Sequence, residues 1–596
     1  MSARPVQPNL NRNIPIDLTM DVVQPIAQTK LLRKFLPDGI SMDEWSGLEK
    51  YFKELAEREI KSPSEFYQWI LDWNELDVAL DEEHAWRYIR STCDTTNEAL
   101  EKAYDHFVAV IEPNSAPWVN VLNKKLDSSP FRDSLDKKIF SVYLRTIRNE
   151  ISLFREENIP LFTQIDQLSQ KYGRITGDMM VEMEGKELTL QQAANYFKSN
   201  DRTLREEAFR KVWSERLKAK KELNELFNEL CALRHKTALN TGFENFRDYS
   251  FAEMGRFDYT PQDCYKFHEA VEKEVVPFIA ELETDRKAKL KLDVLRPWDT
   301  SVDTSGKPGL KPFVNGDELV EKTIQCFKKI RPQYADFISI MRQLKHFDLD
   351  SRKGKAPGGY NYSLAETGVP FIFMNAASSH RDLVTMVHEG GHAIHSFLEN
   401  PLPVNDLKNP PSEVCELASM SMELISMEHW DVFYSDKDEL KRAKQEQLQT
   451  IMETLPWVAA VDAFQHWIYL HNGHSDEERN VEWKKIKERF DSPVIDWSGL
   501  EEIKENSWLK QLHIFEVPFY YIEYGMAQLG AIAMWRNYKT DPEKALNGYE
   551  AALKLGYTRP IGEIYEAAGI KFDFSKEYVH QLVEFVRGEL KALGQE

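Results

Sequence analysis

Apolar residues return every three or four positions along most of this chain, the period of amphipathic helices. Trp45, Leu48, Phe52, Leu55 and Ala56 trace one such stripe. Ser62-Pro63-Ser64-Glu65 then opens the next helix with an N-cap serine, a proline in the first turn and a capping-box glutamate. From Met42 to about Tyr172 helix follows helix. The longest stripe runs from about Asp201 to Leu239 through Leu204, Ala208, Val212, Leu217, Leu223, Leu226, Leu230 and Leu233, and stops at Asn240-Thr241-Gly242. Thr260-Pro261-Gln262-Asp263 starts a further helix, expected to kink at Pro277. Asn409-Pro410-Pro411-Ser412 starts another, and the chain reads as helical from there to its end.

Two short stretches break the helical period. Met180-Val181-Glu182-Met183 and Lys186-Glu187-Leu188-Thr189-Leu190 flank Glu184-Gly185 and predict a hairpin. Val369 to Asn375 predicts a strand, after which Ser379 caps a helix with Asp382 at its third position. That strand is either an edge to which an extended peptide can add or a plain core strand. Residues 296–315, rich in Pro, Gly, Ser and Asp, read as a surface loop, and residues 1–30, with four prolines, as an extended arm. The fold class is mainly α.

Composition narrows the partners. At 596 residues the chain can hold several cores, and its net charge of −21 repels phosphate backbones, so nucleic acid is not an expected partner. Met1 to Asn9 has no apolar core of a signal peptide. The longest apolar stretch, Pro518 to Trp535, contains Glu523 and Gln528 and is short for a membrane span. Five scattered cysteines without a C-x-x-C pair fit a reducing compartment. The expectation is a cytoplasmic protein with no membrane contact. Nothing in the pattern sets an oligomeric state.

The chemistry centres on Val387-His388-Glu389-Gly390-Gly391-His392-Ala393-Ile394-His395. Residues i and i+4 share a helix face, so His388 and His392 can grip one metal, and Glu389 lies on the same turn as a base for an activated water. Two glycines within the helix cost about 1 kcal/mol each in propensity. A third ligand is needed. His395 stands on the same face but seven residues along, about 10.5 Å of rise from His388, which excludes it from a shared ion. Glu413, Glu416 and Glu423 on the next helix are all within reach, and periodicity does not choose among them. Further on, His513 with Tyr521 and Tyr524 could point hydrogen-bond donors at an oxyanion. The alternative is an aromatic core helix.

Taken together, these pieces resemble the oligoendopeptidase F and thimet oligopeptidase family of zinc metallopeptidases. That family carries H-E-x-G-H followed 24 or 25 residues later by a glutamate in E-x-A/P-S-x-x-x-E. Here Glu416 follows His392 by 24 residues and opens Glu416-Leu417-Ala418-Ser419-Met420-Ser421-Met422-Glu423. The resemblance implies His388, His392 and Glu416 as ligands of one Zn2+ per chain and Glu389 as general base. It maps the family's histidine-and-tyrosine segment onto His513, Tyr521 and Tyr524, with Tyr520 in the same segment. Gly354-Lys355, Tyr360 and the run from Phe371 to Asn375 are similar to its glycine-rich loop and active-site strand. Gly390 departs from the family, which usually has a bulky apolar residue there.

The resemblance spans about Lys171 to Gly569. It implies a neurolysin-like fold, two helical lobes flanking a deep substrate channel with a small β-sheet beside the metal helix. The expected division is an arm over 1–30, an N-terminal helical lobe over 31–195 and a zinc peptidase catalytic region over 196–596. The implied activity is cleavage of internal bonds in short peptides. A zinc carboxypeptidase or peptidyl-dipeptidase of related fold, and a non-catalytic peptide-binding clamp, are the rival readings.

Overall fold

The computed structural model describes residues 33–595, so the arm expected over residues 1–30 lies outside them. Helices α1 (Trp45–Glu57) and α2 (Pro63–Cys93) form where the apolar stripe predicts. Ser62 caps α2, its hydroxyl accepting from the Glu65 N–H. Leu48, Phe52, Phe66 and Trp69 close a core of their own, joined by Leu402, Val404 and Leu407. The hairpin is present as β1 (Met180–Met183) and β2 (Lys186–Thr189), paired antiparallel. Glu184 and Gly185 both take positive φ, the turn geometry that matches strand twist.

The stripe from Asp201 to Leu239 is two helices, α3 (Arg202–Lys218) and α4 (Lys220–Thr241), separated at Ala219. Neither proline nor glycine marks the break. Its cause is tertiary: Ala208 and Val212 of α3 share the main core with Leu223, Leu226 and Leu230 of α4, but Phe209 and Trp213 of α3 also pack into a separate cluster with Trp298 and Leu500. Next come α5 (Pro261–Ala270), a wide π-type turn over Val271–Val275, and α6 (Val276–Lys289). The wide turn accommodates Pro277, which has no N–H to donate. Residues 296–315 are irregular as expected and exposed over 305–309, yet anchored inward at other positions. Asp299 is fully buried and paired with Arg202 and Arg205, and Trp298, Val302, Leu310 and Phe313 face inward.

The remaining elements build the surroundings of the histidine motif. Helix α7 (Gly316–Ile330) precedes three strands, β3 (Phe347–Asp350), β4 (Tyr360–Tyr362) and β5 (Phe371–Ala376). Their order is β3-β5-β4, with β3 parallel and β4 antiparallel to β5. The strand entering the motif helix is therefore the central one, and the plain core reading of it is correct. Both its ladders are filled, and Ala85 and Ile89 of α2 cover Phe371 and Phe373.

Ser379 and Asp382 form the expected capping box at the start of α8 (His380–Glu399). Helix α9 (Ser412–Met427) is buried along nearly its whole length and packs between α8 and a later helix that begins at Ile522. The longest helix is α10 (Lys437–Leu470), followed by short α11 (Leu512–Glu516) and by α12 (Ile522–Thr540). Among the described residues, no helix is long and apolar enough to cross a membrane. Among the described residues the protein is mainly helical, with two small sheets.

Candidate metal centre

The site forms where α8 crosses α9. Gly391 makes the crossing close: a Cβ there would lie 2.6 Å from the Ser419 Cα and 2.9 Å from the Ala418 carbonyl oxygen. Gly390 faces α7 instead, where the Phe327 ring fills the space a Cβ would take, at 2.7 Å. The departure at Gly390 thus has a packing cause, a buried aromatic ring pressed against the helix backbone.

Across this contact His388, His392 and Glu416 bring one donor atom each to within 4.8 Å of one another. His388 Nε2 lies 3.4 Å, and His392 Nε2 3.8 Å, from Glu416 Oε2. Both imidazoles retain about one-fifth of their side-chain exposure, whereas Glu416 is buried. Ser419 Oγ donates to Glu416 Oε2 at 3.1 Å, and Tyr520 Oη to Oε1 at 3.2 Å, so both carboxylate oxygens are oriented. His395 turns away, its Nε2 3.2 Å from Glu399 on its own helix.

The three glutamates left open by periodicity have three different environments. Glu416 joins the histidines. Glu423, two turns further along α9, lies 2.7 Å from His388 Nδ1 and accepts from Gln447 Nε2 of α10 at the same distance. A carboxylate only accepts, so Nδ1 carries a proton. Nε2 faces Glu416 as well, and despite burial the two carboxylates hold the imidazole well above its ordinary value, so a metal ion bound at Nε2 would displace a proton there. Glu413 is fully buried away from the histidines and accepts from the Tyr259 hydroxyl. Sequence spacing carried a hint of Glu423's place, since residues seven apart share a helix face. Its role in holding a histidine needed the fold. Glu423→Ala is expected to weaken metal binding about 10- to 100-fold, read by titration against a competing chelator. Unchanged affinity would show that the Nδ1 partner is dispensable.

Glu389 lies inward on the same helix, 6% exposed, and Asn361 of β4 donates to its backbone oxygen at 3.1 Å. Burial pushes its carboxyl up to about 7. A divalent cation alongside would draw it back down.

The third cluster is not one helix. His513 belongs to α11, Tyr520 and Tyr521 precede α12, and Tyr524 lies in its first turn. Phe519 bends the chain between them at φ 68°, its N–H donating to Gln465 and its carbonyl accepting from Arg256. The bend gathers the His513 ring against Tyr520, Tyr521 and Tyr524, with ring centroids 4.7 to 6.2 Å apart. Trp457 can only donate, so it takes the oxygen of Gln511, and the Gln511 amide nitrogen donates to His513 Nδ1 at 2.7 Å. Burial lowers His513 to about 4, so the ring is neutral and carries its proton on Nε2. Burial also raises all three phenols. The negative field of Glu416 adds to this at Tyr520 and Tyr524, and that of Glu389 at Tyr524, whereas Tyr521 has Arg381, Trp457 and Gln511 near it.

The donor chemistry suits a borderline divalent ion such as zinc: two imidazoles, one oriented carboxylate, and partial solvent exposure on the histidine side. Fold and site together define a helical hydrolase of the H-E-x-x-H type. The family model of Peptidase family M3 matches residues 195–584, and that of the Peptidase M3 N-terminal domain matches residues 41–154. The chain belongs to peptidase family M3, on its oligoendopeptidase F branch. It is 22% identical to an oligoendopeptidase F homolog of Mycoplasma pneumoniae over 69% of each chain, and 22% identical to one of Borreliella burgdorferi over 71% of each. A solved structure assigned to oligoendopeptidase F covers 94% of this chain and 99% of its own, with TM-score 0.86 and 27% identity. A structure of Pz peptidase A with an inhibitor covers 95% and 99%, with TM-score 0.86 and 25% identity.

Proposed function

We propose that this peptidase is a zinc-dependent oligoendopeptidase that cuts internal bonds of short peptides in the cytoplasm. The observation that carries the reading is the convergence of His388, His392 and Glu416 beside buried Glu389. His388 and His392 would offer imidazole nitrogens, and Glu416 a carboxylate oxygen, to a single Zn2+. When bound, the ion supplies Lewis acidity, polarising the scissile carbonyl and acidifying water. Glu389 takes a proton from the attacking water and passes it to the departing amine. The His513 Nε2–H and the hydroxyls of Tyr521 and Tyr524 donate to the oxyanion, each donor typically worth about 3 to 4 kcal/mol. Tyr520 holds the ligand carboxylate.

The matched spans at 41–154 and 195–584 support a division into a lobe over 31–195 and a catalytic region over 196–596. A deep channel between two helical lobes limits substrates to short, unfolded chains. The test uses an internally quenched decapeptide. A chelator is expected to abolish its cleavage and added Zn2+ to restore it, with mass spectrometry finding internal cuts. Removal of residues from one end only would replace this reading with a carboxypeptidase or peptidyl-dipeptidase. Cleavage indifferent to chelation would end the zinc assignment.

A further inference from the structure

A second set of metal-type donors lies away from the H-E-x-x-H crossing, and the activity proposed above makes no use of it. Cys264 and His268 stand four apart on α5, and Asp462 and His466 four apart on α10. The two helices pack together, so two pairs of adjacent-turn side chains face one point. One donor atom each from Cys264, Asp462 and His466 lies within 4.8 Å of the others. His268 Nε2 is 2.8 Å, and His466 Nε2 3.2 Å, from Asp462 Oδ2. All four residues are at least 97% buried.

We propose that Cys264, His268, Asp462 and His466 form a second, structural site for a thiophilic divalent cation of the zinc class. Three observations point there. The residue types are a tetrahedral zinc set, one sulfur, one carboxylate and two imidazoles. Tetrahedral zinc holds its donors roughly 3 to 4 Å apart, close to the spacing of Cys264, Asp462 and His466, while His268 Nε2 stands 2.8 Å from Asp462 Oδ2 as the fourth donor. Second, Asp462 Oδ1 and both ring nitrogens of His466 have no protein hydrogen-bond partner at bonding angles, although they are buried. Buried polar atoms are costly to leave unpaired, and an ion would satisfy Asp462 Oδ1 and one of the two His466 nitrogens.

Third, the charges balance. A thiolate and a carboxylate neutralise a divalent cation, and the two imidazoles stay neutral, so no net charge is left in this buried site. On binding, the Cys264 thiol loses its proton and Sγ becomes a metal ligand, with no change of oxidation state. The site also has a mechanical place in the fold. The His466 ring packs 5.3 Å from the Phe519 ring, and the adjacent Gln465 accepts from the Phe519 N–H. An ion that fixes α5 to α10 therefore braces the bend that carries Tyr520 and Tyr521.

Cobalt distinguishes the two centres, because His388, His392 and Glu416 contain no sulfur. The full chain, stripped and reloaded with Co2+ alone, is expected to hold two equivalents and to show near-ultraviolet thiolate-to-cobalt charge-transfer absorption. Cys264→Ser should remove that band and one equivalent. His466→Ala should remove the same equivalent. His392→Ala should remove the other and leave the band. A reloaded parent chain without the band would overturn the proposal, and so would metal content unchanged by both Cys264→Ser and His466→Ala. The parent spectrum decides the matter even where a variant fails to fold. If the H-E-x-x-H centre binds no metal, His392→Ala changes nothing while Cys264→Ser still removes an equivalent.

Discussion

Glu389→Gln is expected to keep its metal and to lose about 10²- to 10⁴-fold in turnover, the range of a positioned general base. The amide matches the carboxyl in shape, so the packing around this 6%-exposed side chain is preserved. It cannot accept a proton from water, which is the function assigned to the carboxylate. His388, His392 and Glu416 remain in place, since none of them holds Glu389 by its side chain; the bond from Asn361 goes to its backbone oxygen. Zinc content and thermal unfolding should therefore match the parent while cleavage of the quenched decapeptide collapses. Near-parental turnover in a zinc-loaded variant would remove Glu389 from the chemistry.

Gly391→Ala is expected to lower both stability and metal affinity. Two terms oppose each other. Alanine improves helix propensity by about 1 kcal/mol. Its Cβ, however, meets backbone atoms of α9 at 2.6 and 2.9 Å, and backbone cannot rotate aside. Separating two packed helices costs about 1 to 3 kcal/mol or more, so the steric term wins. The displacement falls between the helix carrying His388 and His392 and the one carrying Glu416, so the donor triangle opens as well. Gly390→Ala makes the comparison: it meets only the Phe327 ring, on a different helix from Glu416, and should cost stability while sparing metal affinity. Denaturant unfolding and chelator competition on both variants check this. Equal metal affinity in Gly391→Ala and the parent would show that the crossing can relax without opening the site.

Much of the fold is legible along the chain because its signals are local. The capping boxes at Ser379 and Thr260, the Ser62 cap and the Glu184-Gly185 turn each involve residues within four positions of one another. What the sequence missed or left open shares a cause of the opposite kind. The split at Ala219, the burial of Asp299 and Glu413, and the central position of β5 are all set by partners far away in sequence. No window of neighbouring residues contains them.

The same division runs through the site. The sequence alone determines that His388 and His392 share a helix face, because 3.6 residues per turn fixes it, and that His395 rises out of reach of His388. It also determines, through the segment from Glu416 to Glu423, which family this chain resembles. Only the tertiary structure decides how α8 meets α9. That crossing gives Glu416 the histidines, gives Glu423 the back of His388, and gives Glu413 a buried tyrosine instead of solvent. It also explains the two glycines: Gly391 admits the backbone of α9, and Gly390 admits Phe327. Helical period constrains a residue's face but not what stands opposite, and ligands from two helices depend on both.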